Sequence, residues 1–455
     1  MATAGSAPLR PRFSAHTRPS AGGLLRVLFR SLDRHAIRYC VLHSWEGLPE
    51  ELPSDLDLAV DAGDARRFRL AVADLRAEGY LPIQCLNYAV RGYYYVFAWW
   101  EDGELATAAI DITLEHRRAG LVLASSRELI AGRVAHGEFW IPAPAVEFAY
   151  LLDKKILKGE MSVRHARRLA ALAVELGPER AAAVAARLFG ARWKRQVVEA
   201  SAAGTLGDLL RPLRIARWRT VLARDPLNPV RYWGANLPRL ARRWLRPTGL
   251  FLVMLGPDGA GKSSLGEQLP PAMGPAFRRH KRIHSGPLVW PSKEQPVSDP
   301  HGRPGYPAWS SIIRLCAHAA DHQLGYWLKI RPVLARSGLV LFERFFLDRL
   351  VDARRYRYGG PQWLVRALCR LVPQPELLLV LDAPEDVILS RKQEISAEAV
   401  RRQRPLYRSL LRDARAGCLI DAARAPEEVL RQAVRAATDY LAARFERRYG
   451  QGGPL

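Results

Sequence analysis

Negative charge is what this chain has least of. Its 455 residues carry 69 Lys and Arg against 45 Asp and Glu, a formal net charge of +24 and a pI near 10.4. Nearly all of the positive charge is arginine; lysine is scarce. That bias fits the residue usage of a GC-rich genome and, equally, an acidic substrate or surface such as phosphates, nucleic acid or anionic lipid. Cysteine is also sparse. Five residues (Cys40, Cys85, Cys316, Cys369, Cys418) are scattered with no C-x-x-C pair. This excludes a structural zinc site of the usual spacing and points to a reducing, cytoplasmic compartment. No apolar run approaches the roughly 20 residues that span a bilayer. Residues 1–32 contain no acid and lack the apolar core of a secretion signal. A disordered N-terminus over 1–23 is the expectation, and an organelle transit peptide fits loosely. Internal repeats and low-complexity tracts are absent from the sequence. A hydrophobic content of 49% suffices for two or three cored domains.

What is present is a phosphate-binding loop. Gly256-Pro257-Asp258-Gly259-Ala260-Gly261-Lys262-Ser263 reads G-x-x-x-x-G-K-S. The apolar run Leu250–Leu255 before it predicts a buried parallel strand, and Ser264–Leu269 after it the first turns of a helix. Glycines let backbone N–H groups curl around a polyphosphate, and the helix N-terminus adds a favourable dipole. Gly256, Asp258, Gly259, Ala260, Gly261, Lys262, Ser263 and Ser264 are therefore the candidate nucleotide-binding residues. In this motif Lys262 reaches the β/γ-phosphates and Ser263 ligates Mg²⁺. Further strands are expected at 338–342, at 376–381 and at Leu419-Ile420, alternating with helices. The pattern implies an α/β domain over 249–446 with a parallel sheet and helices on both faces; 447–455 reads as a flexible tail.

The second informative segment is Ser54-Asp55-Leu56-Asp57-Leu58. Carboxylates at i and i+2 on a strand share a face, and Asp111 lies on a later candidate strand. Three such carboxylates suit two Mg²⁺ ions and nucleotidyl transfer. Strands at 37–42, 56–60, 93–100 and 107–114, a hairpin turn at 101–104 and a helix over 65–78 give a mixed α/β domain over 24–165. Lys154 and Lys158 share a helix face fit for phosphate, or for solvent. Residues 166–248 read as a helical linker. Its last part, 211–246, holds ten Arg, the single acid Asp225, and Trp218, Trp233 and Trp244. Pro212, Pro226, Pro229, Pro238 and Pro247 predict short helices there. The segment suits an anionic membrane surface, with peripheral attachment, or nucleic acid. It suits equally a connector packing its Trp residues on a neighbouring domain. A homodimer is also open.

The region 249–446 resembles the thymidylate kinase family of P-loop nucleoside monophosphate kinases. Four features carry the resemblance: the D-G-A-G-K loop, Glu343-Arg344-Phe345 after the strand 338–342, Asp382 followed by Ala383-Pro384 and Arg391-Lys392, and Ile420-Asp421-Ala422 before a helix from Pro426. The resemblance implies ATP and Mg²⁺. It gives Asp258 the approach to a hydroxyl of the acceptor's sugar, Glu343 a place beside Mg²⁺ or the acceptor phosphate, and Arg344 a grip on that phosphate. Arg391 would belong to a lid over the transferring phosphoryl group. The catalytic candidates are thus Lys262, Glu343, Arg344 and Arg391, with Ser263 and Glu343 at the metal. The family's Arg-Glu-Pro-Gly segment has no counterpart, so the acceptor ranges over nucleoside monophosphates and other phosphate or hydroxyl acceptors. The N-terminal half resembles the polymerase-β-like nucleotidyltransferases, which makes Asp55, Asp57 and Asp111 catalytic and metal-binding candidates. His43 stands where that superfamily has a glycine. Two other readings stay open: a nucleotidyltransferase whose P-loop domain senses nucleotide, and an ATP-switched regulator that binds nucleic acid.

Overall fold

The central strands of the molecule are buried on both faces, β2 (Leu56–Val60) and β10 (Leu250–Leu255) among them. The computed structural model describes residues 19–52, 54–286, 288–289, 304–391 and 396–450. Most of the expected disordered segment 1–23, residues 451–455 of the expected tail 447–455 and the basic residue Lys392 lie outside the described residues; the described ends of both segments are helical, from Ala21 and up to Tyr449. The chain forms two compact units. One contains the residues up to Ala241 and those from Phe445; the other is Arg242–Arg444.

In the first unit a five-stranded mixed sheet runs in the order β1-β2-β5-β4-β3. The strands are β1 (Tyr39–Val41), β2 (Leu56–Val60), β3 (Leu81–Ala89), β4 (Gly92–Glu101) and β5 (Glu104–Thr113). β2 and β5 are parallel, whereas β1 with β2, β4 with β5 and β3 with β4 are antiparallel. Two small hairpins follow, β6 (Glu115–Arg118) with β7 (Leu121–Ser125) and β8 (Val134–His136) with β9 (Phe139–Ile141). Residues of odd and even parity point to opposite faces of a strand. Leu56, Leu58 and Val60 enter one core with Leu24, Leu28 and Phe29 of the helix Ala21–Arg34 and Phe68 and Val72 of the helix Phe68–Ala77. Ala59 enters the other, with Phe148, Leu151 and Leu152 of the helix Pro144–Lys158 and Leu169 and Leu172 of the helix Val163–Phe189. Asp57 has the parity of Ala59, so it faces the Pro144–Lys158 layer.

The segment 211–246 differs from its expectation. It holds two long helices, Leu210–Arg224 and Asn228–Leu245. The prolines explain why. Pro212 and Pro229 fall in first turns, where the missing N–H costs nothing. Pro226 and Pro247 lie between and after the helices, and only Pro238 is internal. Residues 166–241, read as linker from sequence, group with the first unit. Arg217, one of the linker arginines, is buried in a two-pronged pair with Asp153 at 2.6 and 2.8 Å.

The second unit is a five-stranded, fully parallel sheet in the order β11-β12-β10-β13-β14. Its strands are β10 (Leu250–Leu255), β11 (Arg279–Ile283), β12 (Gly338–Phe342), β13 (Leu377–Asp382) and β14 (Gly417–Asp421). Every residue of β10, β12 and β13 is buried, as befits strands covered on both faces by helices. The central strand β10 delivers the loop 256–261, and β12 delivers Glu343 and Arg344 beside it. Ligands of such sheets sit beyond the carboxyl ends of the strands.

Candidate functional site

The loop after β10 owes its path to two glycines. Gly256 packs so close to β13 that a Cβ would run into the Leu381 carbonyl oxygen. Gly261, at φ +87, turns the chain into the helix Lys262–Ala272, a conformation that glycine adopts without steric cost. Lys262 is buried and folds back onto the loop: its Nζ donates to the carbonyls of Gly256 (2.7 Å) and Pro257 (2.8 Å). Burial lowers the pKa of its ammonium, a shift that the nearby Asp258 opposes. Ser263 and Ser264 are exposed in the first helical turn, and Ala260 packs inward.

Two carboxylates organise the surroundings. The first is Glu343, 1% exposed. It accepts from Ser263 Oγ (2.7 Å), from Arg282 of β11, and pairs with His284 Nδ1 (2.9 Å). Burial would raise its carboxyl, but these hydrogen bonds outweigh that and hold it below its ordinary value. Ser263 and Glu343 are an oxygen pair at the mouth of the loop, the donor chemistry that Mg²⁺ takes alongside phosphate oxygens. Their side chains fit that ion.

The second is Asp258, within the loop itself. Arg344 donates to its Oδ1 (2.7 Å) and Arg355 to its Oδ2 (2.5 Å), and Lys262 stands 3.6 Å away. Burial opposes ionisation, yet the three cations hold this carboxyl well below the usual range. Behind it Asp348 is buried and accepts from the Tyr407 hydroxyl (2.9 Å) and the Phe345 N–H (2.8 Å); burial raises its pKa. Gln403 donates to Asp352 (3.0 Å), whose other oxygen accepts from the Arg355 N–H (3.1 Å). The cavity among Lys262, Arg344, Arg355 and Tyr407 measures only about 10 Å³, room for one water. The cationic cluster is closed onto its own acid.

Sequence reading identified Lys262, Ser263, Asp258, Glu343 and Arg344, and the fold brings them together. Arg391 ends the helix Glu385–Arg391 and donates to the Ala422 carbonyl (2.7 Å), just after β14. Its expected lid partner Lys392 is not among the described residues. Asp382 is held by Arg404 (2.8 Å) and by Arg408. Arg355, Arg282 and His284 were not found from sequence. Their one signal was position: β11 and the stretch after β12 end at the same edge of the sheet.

In the first unit, Asp57 and Asp111 are direct neighbours across the parallel β2–β5 register, on the face turned to the helix Pro144–Lys158. Lys154 of that helix donates to Asp57 Oδ1 (3.0 Å), and His43 Nε2 lies 2.9 Å from Asp57 Oδ2. Burial opposes the ionisation of Asp57, but the charges of Lys154 and His43 depress its pKa. Asp111 is shifted the other way, by burial first and then by the charge of Asp57; its Oδ1 has no hydrogen-bond partner. Asp55 lies just before β2. Among the described residues no group of three His, Cys, Asp or Glu is arranged to grip a metal ion. Of the three carboxylates expected at a two-ion centre, Asp57 and Asp111 stand side by side and Asp55 just before them, and an ammonium and an imidazole cover Asp57. Lys158, expected to share phosphate binding with Lys154, pairs with Glu160 (2.7 Å).

No family model matches the chain. Individual relatives do. The thymidylate kinase of Pseudomonas syringae pv. tomato is 32% identical over 166 residues, which cover 32% of this chain and 69% of that protein. Thymidylate kinase of Xanthomonas oryzae pv. oryzae is 30% identical over 150 residues, 32% of this chain and 62% of its own. Among solved structures, a thymidylate kinase from Ehrlichia chaffeensis aligns over 41% of this chain and 97% of its own at 16% identity. Its TM-score of 0.30 is too low to carry a fold argument.

Proposed function

This chain belongs to the thymidylate kinase family through a P-loop region that spans about a third of its length, and from that premise we propose that it is an ATP-dependent phosphotransferase. It moves the γ-phosphoryl group of ATP to a nucleoside monophosphate or a related phosphate or hydroxyl acceptor. The observation that carries the reading is the buried Lys262 resting on loop carbonyls beside the Ser263–Glu343 pair. A triphosphate entering the loop offers Lys262 a stronger partner than two carbonyl oxygens. The loop N–H groups and the helix N-terminus then hold the phosphates. Ser263 and Glu343 would hold Mg²⁺, which offsets phosphate charge when bound. Arg344 and Arg355 exchange Asp258 for the acceptor's anionic group, and the freed Asp258 faces the acceptor. Phosphoryl transfer asks a protein for positioning and charge neutralisation more than for covalent chemistry, and this set supplies both. The test is ADP production with Mg²⁺ across a panel of nucleoside monophosphates including dTMP. Lys262→Ala should lower the rate by about 10²-fold or more. An unchanged rate overturns the reading.

The adjacency of Asp57 and Asp111 supports a second element of the proposal: the first unit is a nucleotidyltransferase-like domain that retains the carboxylate positions. With Lys154 and His43 on Asp57, we assign it no nucleotidyl transfer of its own. Loss of activity in Asp57→Asn but not in Lys262→Ala would reverse this and make the P-loop unit a nucleotide sensor.

A further inference from the structure

The helix Asn228–Leu245 is mounted inside out. Its polar residues face the protein. Asn228 exchanges two hydrogen bonds with the Val122 backbone, at 2.8 and 3.0 Å. Asn236 is 4% exposed and accepts from Arg239 Nε (2.9 Å). The same guanidinium donates to the carbonyls of Asn87 (3.0 Å) and Tyr88 (2.9 Å). Its apolar residues face outward: Val230 is 67% exposed, Trp233 55%, Leu237 63%, Leu240 44% and Trp244 40%. At 3.6 residues per turn these positions, spaced three and four apart, form one continuous stripe. Exposed apolar side chains scattered singly are ordinary; a contiguous stripe marks an interaction surface.

The charges around the stripe identify what covers it. The helix contains no acidic residue. Arg231 and Arg242 project on one side of the helix, about 100° or more round from the edge of the stripe, and Arg246 follows the helix end. Arg231 pairs with Asp225; Arg242 and Arg246 are exposed and form no ion pair with a described residue. We propose that this helix lies in the interfacial plane of an anionic lipid bilayer, with Trp233, Leu237 and Trp244 inserted and the arginines on lipid phosphates. Amphipathic helices that rest on membranes combine these traits: a strongly one-sided apolar face, Trp and Leu on it, and basic residues on the same helix. A second copy of the chain fits less well, since pairing two such stripes sets arginine against arginine with no acid between them. Nucleic acid would engage the arginines and leave the Val and Leu side chains unused. Among the described residues no helix, this one included, is long and apolar enough to cross a membrane.

Co-sedimentation of the full chain with lipid vesicles tests this. Binding is expected to vesicles of phosphatidylcholine mixed with phosphatidylglycerol, and not to phosphatidylcholine alone. It should weaken between ~0.1 M and ~1 M salt, as the screening length falls from about 10 to about 3 Å. The double variant Trp233→Ser/Leu237→Ser should lose at least about tenfold in affinity, and Arg242→Gln roughly fivefold. Both should keep wild-type melting temperatures, because the altered side chains are exposed. Trp363→Ser, which removes an equally exposed Trp from the other unit, should bind as wild type. Failure of the wild type to sediment with anionic vesicles, or full binding by the double variant, overturns the proposal. So does a dimer that the double variant disperses, or oligonucleotide binding in place of vesicle binding.

Discussion

Asp258 is surrounded by Arg344, Arg355 and Lys262, so its ionised form is stabilised by folding. The sign follows from linkage. A carboxyl whose folded pKa lies below its ordinary 3.8 contributes stability above that value, because the unfolded chain is protonated first as pH falls. That contribution is lost as pH drops through the folded value. Asp258→Asn should therefore be less stable than wild type by about 1–3 kcal/mol at neutral pH. The gap should be constant above about pH 5 and should close below pH 4. Melting curves across that range check it; a gap independent of pH would mean that the charges do not matter. Arg355 makes a different prediction. If it takes the acceptor's phosphate from Asp258, Arg355→Gln raises the KM for the acceptor roughly tenfold or more and leaves the KM for ATP unchanged. Equal effects on both would assign it a structural part. Arg355 was invisible in the sequence because its contact with Asp258 closes a loop of 97 residues. The loop that carries Lys262 was legible because its residues are neighbours in sequence and each has one physical task.

Elements were legible where the local pattern and the tertiary surroundings agree. Strands β2, β10 and β12 have the bounds read from their apolar runs, since central strands buried on both sides admit little else. Strand β3 was missed. Pro82, Gln84 and Asn87 interrupt its pattern, and proline argues against a central strand. β3 lies at the edge of its sheet, where a missing N–H is tolerated. The segment 211–246 was misread as short helices because proline was taken as punctuation wherever it fell. In the helix Asn228–Leu245 a first-turn proline and one internal proline are accommodated within a longer run. What fixes the first turn of that helix to the first unit is Asn228, through both the N–H and the C=O of Val122. Asn228→Ala should leave both partly buried groups unsatisfied and destabilise by about 1–3 kcal/mol. Leu237→Ser, on the exposed side of the same helix, should change stability by less than about 0.5 kcal/mol. Thermal unfolding of the pair measures the difference, and similar losses in both would mean that the helix is not mounted by its polar face.

The whole molecule combines two cored units with two differently arranged charge clusters. Composition told of basic character but not of its use. Arginines are spread over the buried Arg217–Asp153 pair, the Asp258 cluster and exposed positions on the helix Asn228–Leu245, and a net charge of +24 sums these without separating them. The N-terminal carboxylates show the same limit. Asp57 and Asp111 were read as carboxylates of separate strands, and the β2–β5 register sets them side by side. Lys154, from a helix 97 residues onward, donates to Asp57, a contact that the local motif did not show. A ligand separates the two units experimentally. A nucleotide that binds only the native P-loop unit stabilises it by RT ln(1 + [L]/Kd), about 2.7 kcal/mol at a hundredfold excess over Kd. Calorimetry with ATP and Mg²⁺ should therefore raise unfolding of the unit that contains Lys262, and Lys262→Ala should remove that shift. The first unit should respond little, because Lys154 and His43 already cover Asp57. Hydrogen exchange with and without nucleotide reports which unit is protected. Protection confined to the helix Lys262–Ala272 and its sheet supports a kinase whose N-terminal unit does not bind ATP. Protection around β2 and β5 that survives Lys262→Ala would instead locate a nucleotide at the Asp57–Asp111 cluster, and that cluster would then have to exchange Lys154 for a metal ion before it could transfer anything.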